Sequence, residues 1–222
     1  LRRELISNIS HDLRTPLTLI TGYAEVMRDL PEENNPENAQ VIIDESKRLT
    51  SLVKDILDLS KLQQGQDKLN LERINLTQEI KQVINRFAEF KKANGYSIEF
   101  IFNEDVFVEA DPLRISQAFY NLMINAINYT GEDKKIIVRQ NLGGGNVKIE
   151  VADTGEGVGE EELTHIWERY YSAKTNHVRA VAGSGIGLSI VKSIIENHGG
   201  AYGVVSKKGE GACFWFSLKC AE

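Results

Sequence analysis

Apolar residues recur every three or four positions along the first sixty residues of the chain. One stripe consists of Leu5, Ile9, Leu13, Leu17, Ile20, Ala24 and Met27, and a second consists of Ile42, Leu49, Leu52, Ile56, Leu59 and Leu62. This spacing predicts two amphipathic helices, the first of roughly 30 residues. Segment 30–36 is polar and contains Pro31 and Pro36, so it separates the helices, and we expect an antiparallel helical hairpin.

A single hairpin would leave much of both apolar stripes exposed to water. Two copies that form a four-helix bundle would bury these stripes, so the pattern predicts a homodimer. The alternative is that the stripes provide a docking surface for the rest of the same chain.

The composition changes after the hairpin. Of the 18 glycines only Gly22, Gly65 and Gly95 precede residue 130, and the prolines stop at Pro112. The front of the chain is therefore typical of helices, and the back is typical of a sheet with glycine-rich loops. We expect a helical hairpin over residues 1–64, a polar linker over 65–75 and a second domain over 76–222.

The second domain is predicted to mix helices and strands. The expected elements are a helix from about Leu76 to Ala93, strands over Ser97–Phe102 and Val106–Ala110, a helix opened by Asp111 and Pro112, a β-hairpin over 135–153, a helix that ends at His198, and strands over Ala201–Ser206 and Ala212–Leu218. Asn75 followed by Gln78 indicates a capping box at the first of these helices. The fold class is α+β.

Charge and composition exclude several classes of function. The net charge is −6 and the pI is near 5.4, which disfavours a general nucleic-acid binder. Cys213 and Cys220 cannot form a disulfide scaffold or a thiolate zinc site, and so low a count suits a reducing cytoplasm. No apolar run approaches the ~20 residues of a membrane-spanning helix, so we expect no membrane contact.

The first predicted helix carries the segment Ser10–Leu17, which contains a candidate nucleophile. At ~100° per residue, His11 points almost opposite to the apolar stripe, and Thr15 lies on the same face as His11. Asp12 is adjacent, and Pro16 predicts a bend. On spacing alone, an ordinary exposed histidine on a kinked helix is the better explanation of the segment.

Three asparagines fall on one face of the helix opened by Asp111: Asn121, Asn125 and Asn128. A solvated helix face usually favours Glu and Lys over Asn. Neutral amides can contact phosphate oxygens, and an amide oxygen can complete a Mg²⁺ shell. Both interpretations stay open at this point.

Two glycine clusters indicate backbone that approaches a ligand closely. Asp153 ends an apolar strand face and needs a partner if it is buried, and Gly155, Gly157 and Gly159 follow it. Segment 183–188 contains three further glycines and enters a helix N-terminus, a suitable place for an anion. It lacks the Walker A pattern and the dinucleotide fingerprint. Between the clusters, segment 172–182 is either a lid or an ordinary long loop.

Taken in order, these pieces resemble a sensor histidine kinase of bacterial two-component signalling, over nearly all 222 residues. Ser10–Leu17 is similar to the H box, Asn121–Thr130 to the N box, Asp153–Gly159 and Gly183–Leu188 to two glycine boxes, Ile166–Tyr171 to the aromatic F box and Gly209–Phe214 to a third glycine box. The resemblance implies a dimerisation and histidine-phosphotransfer hairpin followed by an α/β sandwich ATP-binding domain.

The resemblance also implies roles in the hairpin. His11 would be the phosphoacceptor, whose neutral imidazole attacks the γ-phosphoryl group of ATP. Asp12 would orient the ring and accept its other proton. Thr15 resembles the residue that positions water when such an enzyme dephosphorylates its response regulator.

In the second domain the resemblance implies an ATP and Mg²⁺ site. Asp153 would accept from the adenine amino group, Asn125 would coordinate Mg²⁺, and Asn121 would help to hold the phosphates. The full expected site consists of Asn121, Asn125, Asn128, Tyr129, Asp153, Gly155, Gly157, Lys174, Gly183, Ser184, Gly185, Ile186, Gly187, Leu188 and Cys213.

Some positions depart from the family pattern. Asn128 and Ser172 stand where many relatives carry a cation, and Cys213 stands where Thr is common near the adenine pocket. Trp167 and Tyr170 replace the commoner phenylalanines. The acceptor and the metal-ligand asparagine are present, so an active enzyme is expected.

The resulting hypothesis is an ATP-dependent autokinase that phosphorylates His11 and then an aspartate of a response regulator receiver domain, with phosphatase activity toward that regulator. The alternatives are a degenerate kinase that acts as a scaffold and another ATPase of the same fold. The predicted partners are a second copy of the chain, the response regulator and ATP, without nucleic acid. The resemblance implies a cytoplasmic fragment of a parent protein anchored in the bacterial cell membrane.

Overall fold

The computed structural model describes residues 2–63, 69–168, 171 and 185–221. The chain divides into two compact units, Leu1–Ser60 and Lys61–Glu222. Within the described residues, no helix is both long enough and apolar enough to cross a membrane.

The first unit consists of two helices of 28 residues each, as the apolar spacing predicts. Helix α1 spans Arg2–Asp29 and helix α2 spans Pro36–Gln63, with a short 3₁₀ helix over Pro31–Glu33 between them. Pro36 occupies the first position of α2, where a missing N–H costs little. The side chain of Asn35 caps this helix, because its Oδ1 accepts from the N–H of Asn38 at 2.8 Å.

The second unit is built from two sheets and five further helices in the described ranges. Its elements are β1 (Glu72–Asn75), α3 (Leu76–Arg86), α4 (Ala88–Asn94), β2 (Ser97–Ile101), β3 (Phe107–Ala110), α5 (Pro112–Tyr129), β4 (Lys135–Gly143), β5 (Asn146–Asp153), α6 (Glu160–Leu163), α7 (Gly187–Asn197), β6 (Ala201–Ser206) and β7 (Ala212–Lys219). The larger sheet has the order β2-β4-β5-β7-β6, with only β2 and β4 parallel among its pairs. Strands β1 and β3 form a separate antiparallel pair.

One face of the larger sheet forms the core of this unit. Val147, Ile149 and Val151 alternate with half-buried residues along β5, and each is buried. Helix α5 packs on β5 and lies between α3 and α7. The second unit is thus an α/β sandwich and the first is helical, which confirms the predicted α+β class.

Two elements differ from the sequence prediction. The helix expected from Leu76 to Ala93 breaks at Phe87, whose backbone leaves the helical region (φ −89°, ψ 2°). The ring of Phe87 is buried and stacks on Tyr120 with centroids 5.2 Å apart, which indicates that tertiary packing overrides helix propensity here. Strand β1 lies within the predicted linker and pairs with β3, so the second unit begins before Leu76.

Helices α5 and α7 are tied together at one end by His198. Its Nε2 accepts from the backbone N–H of Asp111 at 3.0 Å, and its Nδ1 lies 2.7 Å from the carbonyl oxygen of Ile194. A backbone N–H only donates and a carbonyl only accepts, so the proton must be on Nδ1. The neutral imidazole thereby joins the end of α7 to the residue that caps α5.

Candidate active site

The centre of the candidate site is the carboxylate at the end of β5. Asp153 is only 7% exposed, and its Oδ1 accepts from the backbone N–H groups of Gly155 (2.9 Å) and Ala212 (3.4 Å). Its Oδ2 is buried and has no hydrogen-bond partner among the described residues. A buried acceptor without a partner is costly, so this oxygen is suited to a donor supplied by a ligand.

Burial raises the pKa of Asp153 above its ordinary value, while the two N–H groups act in the opposite direction. The carboxylate is therefore held in one orientation by its Oδ1 bonds and destabilised by the lack of solvent. A ligand donor at Oδ2 would relieve part of that cost.

The glycines around Asp153 are required because separate backbone segments approach each other too closely there to admit a side chain. A Cβ at Gly155 would lie 1.7 Å from the carbonyl oxygen of Tyr129, and one at Gly157 (φ +69°) would lie 2.3 Å from that of Lys207. A Cβ at Gly211 (φ +82°) would lie 2.2 Å from the carbonyl oxygen of Asp153. These glycines thus permit close chain packing, and the expected nucleotide contacts of Gly155 and Gly157 stay predictions.

Helix α5 carries the three aligned asparagines along one side of its length. Asn121 and Asn125 are half-buried and Asn128 is buried, so they do not form a solvated face. The amide nitrogen Nδ2 of Asn121 is buried and has no hydrogen-bond partner in the described part of the chain. The predicted site therefore contains a second buried polar atom without a partner among the described residues, and this one is a hydrogen-bond donor.

The start of α7 lies against Asn121. A Cβ at Gly187 would be 3.7 Å from Cγ of Asn121, which is ordinary contact distance. Gly185 has a positive φ of 68°, and Ile186 is fully buried at the helix N-cap position. The fold therefore brings the described end of the second glycine cluster to the asparagine helix, as the nucleotide-site prediction requires.

Several predicted residues lie outside the described residues. These are Tyr170, Ser172, Lys174, Gly183 and Ser184, together with the rest of the segment expected to form a lid. The backbone of His11 and Asp12 belongs to α1, but their side chains also lie outside the described set. Thr15 is exposed in α1, and Pro16, which follows it, is buried.

The structure corrects the prediction that Cys213 lies near the adenine pocket. Strand alternation places it on the sheet face opposite to Asp153, where it pairs with Ala152. Burial raises the pKa of the Cys213 thiol, and Glu150 raises it further. Ala212, one residue earlier, instead supplies the N–H that binds Asp153.

Sequence reasoning missed Thr154, which fixes the residue next to Asp153. Its hydroxyl donates to Oδ1 of Asp133 and lies 3.1 Å from the hydroxyl of Thr130. A Cβ at Gly131 would lie 2.6 Å from the Thr154 carbonyl oxygen, so the turn after α5 packs tightly on this loop. In the sequence, the two Thr-Gly pairs at 130–131 and 154–155 are the signal that could have indicated this packing of the two turns.

The aromatic segment is attached to the sheet through Trp167. Its ring meets Tyr202 at 4.7 Å and Phe214 at 5.9 Å between centroids, both edge to face. Tyr202 in turn donates a hydrogen bond to Glu196 of α7 at 2.9 Å. The tryptophan that replaces a commoner phenylalanine is thus accommodated by packing on β6 and β7.

This fold and site define a nucleotide-binding ATPase domain joined to a helical unit. Residues 110–222 match the family described as "Histidine kinase-, DNA gyrase B-, and HSP90-like ATPase", and residues 1–65 match the "His Kinase A (phospho-acceptor) domain". The chain belongs to the two-component sensor histidine kinases and comprises their phosphoacceptor and ATPase-like domains. The second match removes the hypothesis of another ATPase of the same fold.

Individual relatives agree with this assignment. Sensor protein kinase WalK of Staphylococcus aureus is 34% identical over 224 positions, which cover 99% of this chain and 54% of the relative. For WalK of strain JH9 the identity is also 34%, and the chain spans 37% of that relative. The chain thus spans about half or less of the length of these curated relatives.

Solved structures share the fold. Histidine kinase ThkA in complex with response regulator protein TrrA is 30% identical, with a TM-score of 0.78 over 98% of this chain and 61% of ThkA. Full-length ShkA in complex with AMPPNP is 28% identical, with a TM-score of 0.73 over 98% of this chain and 46% of ShkA. Acinetobacter baumannii AdeS, at 21% identity and a TM-score of 0.78, covers 96% of this chain and 98% of its own and shows the fold alone.

Proposed function

We propose that this chain uses ATP to phosphorylate His11 and then transfers the phosphoryl group to an aspartate of a response regulator. The observation that carries the proposal is the buried Oδ2 of Asp153, which has no partner in the described part of the chain. An acceptor in that position matches the 6-amino group of adenine. The ShkA structure is a complex with AMPPNP, an ATP analogue, which supports the same ligand class.

The phosphates would lie toward the helix that carries the asparagines. The unpartnered Nδ2 of Asn121 is a donor suited to a phosphate oxygen, and Gly187 beside it begins a helix whose N-terminus favours anions. Asn128, Tyr129, Gly185, Ile186 and Leu188 complete the proposed site within the described residues.

A Mg²⁺ ion fits the donor chemistry of this helix. The half-buried amide of Asn125 offers a hard oxygen ligand one turn from Asn121, and among the described residues no group of three or more His, Cys, Asp or Glu could hold a metal ion. A single protein oxygen together with phosphates and water is the usual Mg²⁺ arrangement at a triphosphate. When bound, the ion would neutralise phosphate charge.

His11 would act as the nucleophile. Its neutral ring nitrogen attacks the γ-phosphorus, a nitrogen–phosphorus bond forms, and the bond from that phosphorus to the bridging oxygen of ADP breaks. Asp12 would accept the other ring proton and keep the attacking nitrogen nucleophilic. The chain's remaining contribution is to position the two reacting groups.

A response regulator would receive the phosphoryl group. The ThkA structure is a complex with response regulator protein TrrA, which supports a response regulator as partner for this chain as well. We further propose that Thr15, exposed in α1, positions water for dephosphorylation of that partner. A Thr15→Ala variant should keep autophosphorylation and lose regulator dephosphorylation, and equal loss of both would contradict this role.

The nucleotide half of the proposal is tested with Asn125→Ala. We expect this variant to lose the increase in ATP affinity that Mg²⁺ gives the wild type, as measured by calorimetry with and without the ion. Its label from γ-labelled ATP should fall in parallel. Wild-type protein that binds no ATP would overturn the proposal and favour the scaffold hypothesis.

A further inference from the structure

Ser206 is the last residue of β6, and its half-buried hydroxyl lies between two loops of the second unit. The hydroxyl accepts from the backbone N–H of Val158 at 2.8 Å and donates to the carbonyl oxygen of Gly211 at 2.7 Å. Val158 belongs to the loop after β5, and Gly211 belongs to the turn between β6 and β7. One side chain therefore joins both loops through its donor and an acceptor site.

Asp153 depends on the same two loops. Its Oδ1 accepts from Gly155, in the loop after β5, and from Ala212, directly after the turn. The N–H of Gly209 also donates to the carbonyl oxygen of Glu156 at 2.6 Å. The direction of the carboxylate therefore follows from the distance and angle that these links set between the loops.

We propose that Ser206 is a positioning residue that fixes the direction of Oδ2 of Asp153 and so contributes to the selection of adenine over purines without a 6-amino group. The inference rests on the proposed function, in which Oδ2 accepts from that amino group. Ser206 acts through the carboxylate and not through contact with the base. Its removal leaves Val158 N–H and the Gly211 carbonyl without their shared partner.

A merely structural role for Ser206 makes a different prediction. Loss of its two hydrogen bonds would lower the stability of the fold and weaken the binding of all nucleotides alike. A positioning role instead changes the preference between bases. The ratio of the dissociation constants for inosine triphosphate and ATP isolates this preference, because inosine carries a carbonyl in place of the 6-amino group.

Thr77 provides a matched control in the same unit. Its buried hydroxyl also has a double role, since it accepts from the N–H of Val106 at 3.0 Å and donates to Oε1 of Gln140 at 2.9 Å. A Thr77→Val variant removes an equivalent pair of bonds with little change in shape. None of these three residues belongs to the loops that hold Asp153.

The experiment measures both dissociation constants by calorimetry, in Mg²⁺, on the 222-residue chain and its Ser206→Ala, Ser206→Thr and Thr77→Val variants. We expect wild type to prefer ATP and Ser206→Ala to lower the ratio about three- to tenfold, the effect of misaligning one hydrogen bond. Ser206→Thr keeps a hydroxyl and should retain the wild-type ratio. Thr77→Val should lower the melting temperature and leave the ratio unchanged.

The outcomes separate this inference from the function on which it rests. A wild-type chain that binds ATP and inosine triphosphate equally would contradict the adenine contact of Asp153 itself. A selective wild type whose ratio is unchanged in Ser206→Ala, or falls equally in Thr77→Val, would overturn the role of Ser206 alone.

Discussion

The two oxygens of the Asp153 carboxylate have different surroundings. Oδ1 accepts two backbone N–H groups, whereas Oδ2 is buried without a partner among the described residues. Burial raises the pKa of this group, so the folded protein binds its proton more tightly than the unfolded chain does. The associated stability is fully present below the ordinary pKa of 3.8 and is lost as pH rises through the raised value.

An Asp153→Asn variant removes that titration and keeps an acceptor for Gly155 and Ala212. We therefore expect its unfolding free energy, relative to wild type, to increase from pH 3.5 toward about pH 7. Its ATP affinity should fall about 10- to 100-fold, because a donor replaces the charged acceptor Oδ2. Denaturant titrations at several pH values and calorimetry at neutral pH measure the two effects.

Asp105 is a control because its pKa is shifted in the direction opposite to that of Asp153. Side-chain hydrogen bonds from Gln78 and then Asn75 lower its pKa, so its contribution to stability is present above the ordinary value and lost on acidification. Asp105→Asn should therefore lose stability relative to wild type as pH rises. The same direction of change in both variants would contradict the assignment of Asp153.

At the scale of elements, the loop after β5 packs closely on the turn before β7, and a glycine makes this close approach possible. Gly157 and Gly144 both have positive φ, at +69° and +59°, but only Gly157 meets backbone where a Cβ would stand. Gly144 has nothing within 4 Å of that position. A comparison of substitutions at Gly144 and Gly157 therefore separates the cost of backbone strain from the cost of a steric overlap.

We expect Gly144→Ala to lower the unfolding free energy by about 1–2 kcal/mol through left-handed strain alone. Gly157→Ala should cost about 1–3 kcal/mol more, because its Cβ would overlap the Lys207 carbonyl. Urea denaturation followed by circular dichroism gives both values. Equal losses would show that the loops do not constrain each other at Gly157.

These elements also show what sequence reasoning can reach. The helices α1, α2, α5 and α7 and the strands β4 to β7 follow from apolar periodicity and from cap and turn residues, since these signals are local. The break at Phe87 and the pairing of β1 with β3 depend on partners far along the chain, and local patterns do not contain them.

The site shows the same division. The resemblance of the Asn and Gly segments to the family's motifs predicts that Asn121, Asp153 and Gly187 serve one site, and the structure places Gly187 against Asn121. The facing of a side chain depends on strand register, which is why Ala212 rather than Cys213 neighbours Asp153. The links made by Ser206 and Thr154 are visible only in three dimensions.

At the scale of the whole molecule, the two units differ in how completely they bury apolar surface. The second unit has its own core, whereas the hairpin leaves Leu17 and Leu57 each 55% exposed. Leu52 is buried within the hairpin. Exposed leucines on both helices are what half of a four-helix bundle would show, so they support the predicted homodimer.

Leu57→Glu should therefore weaken the dimer at least tenfold, because each copy would bring a charge into an apolar interface. Sedimentation equilibrium would show a shift toward the 24.9 kDa monomer at micromolar concentration. Leu142→Glu, at a 48% exposed site in the second unit, is the control and should leave the mass unchanged. A monomeric wild type would contradict the bundle.

The most direct measurement is autophosphorylation of the chain with Mg²⁺ and γ-labelled ATP, wild type beside His11→Gln. A phosphohistidine is labile to acid and stable to base, so wild type should gain an acid-labile label. His11→Gln should bind ATP as wild type does and gain none. Equal labelling of both proteins, or ATP binding by both with no label on either, would contradict the assignment of His11 as the phosphoacceptor of an active kinase.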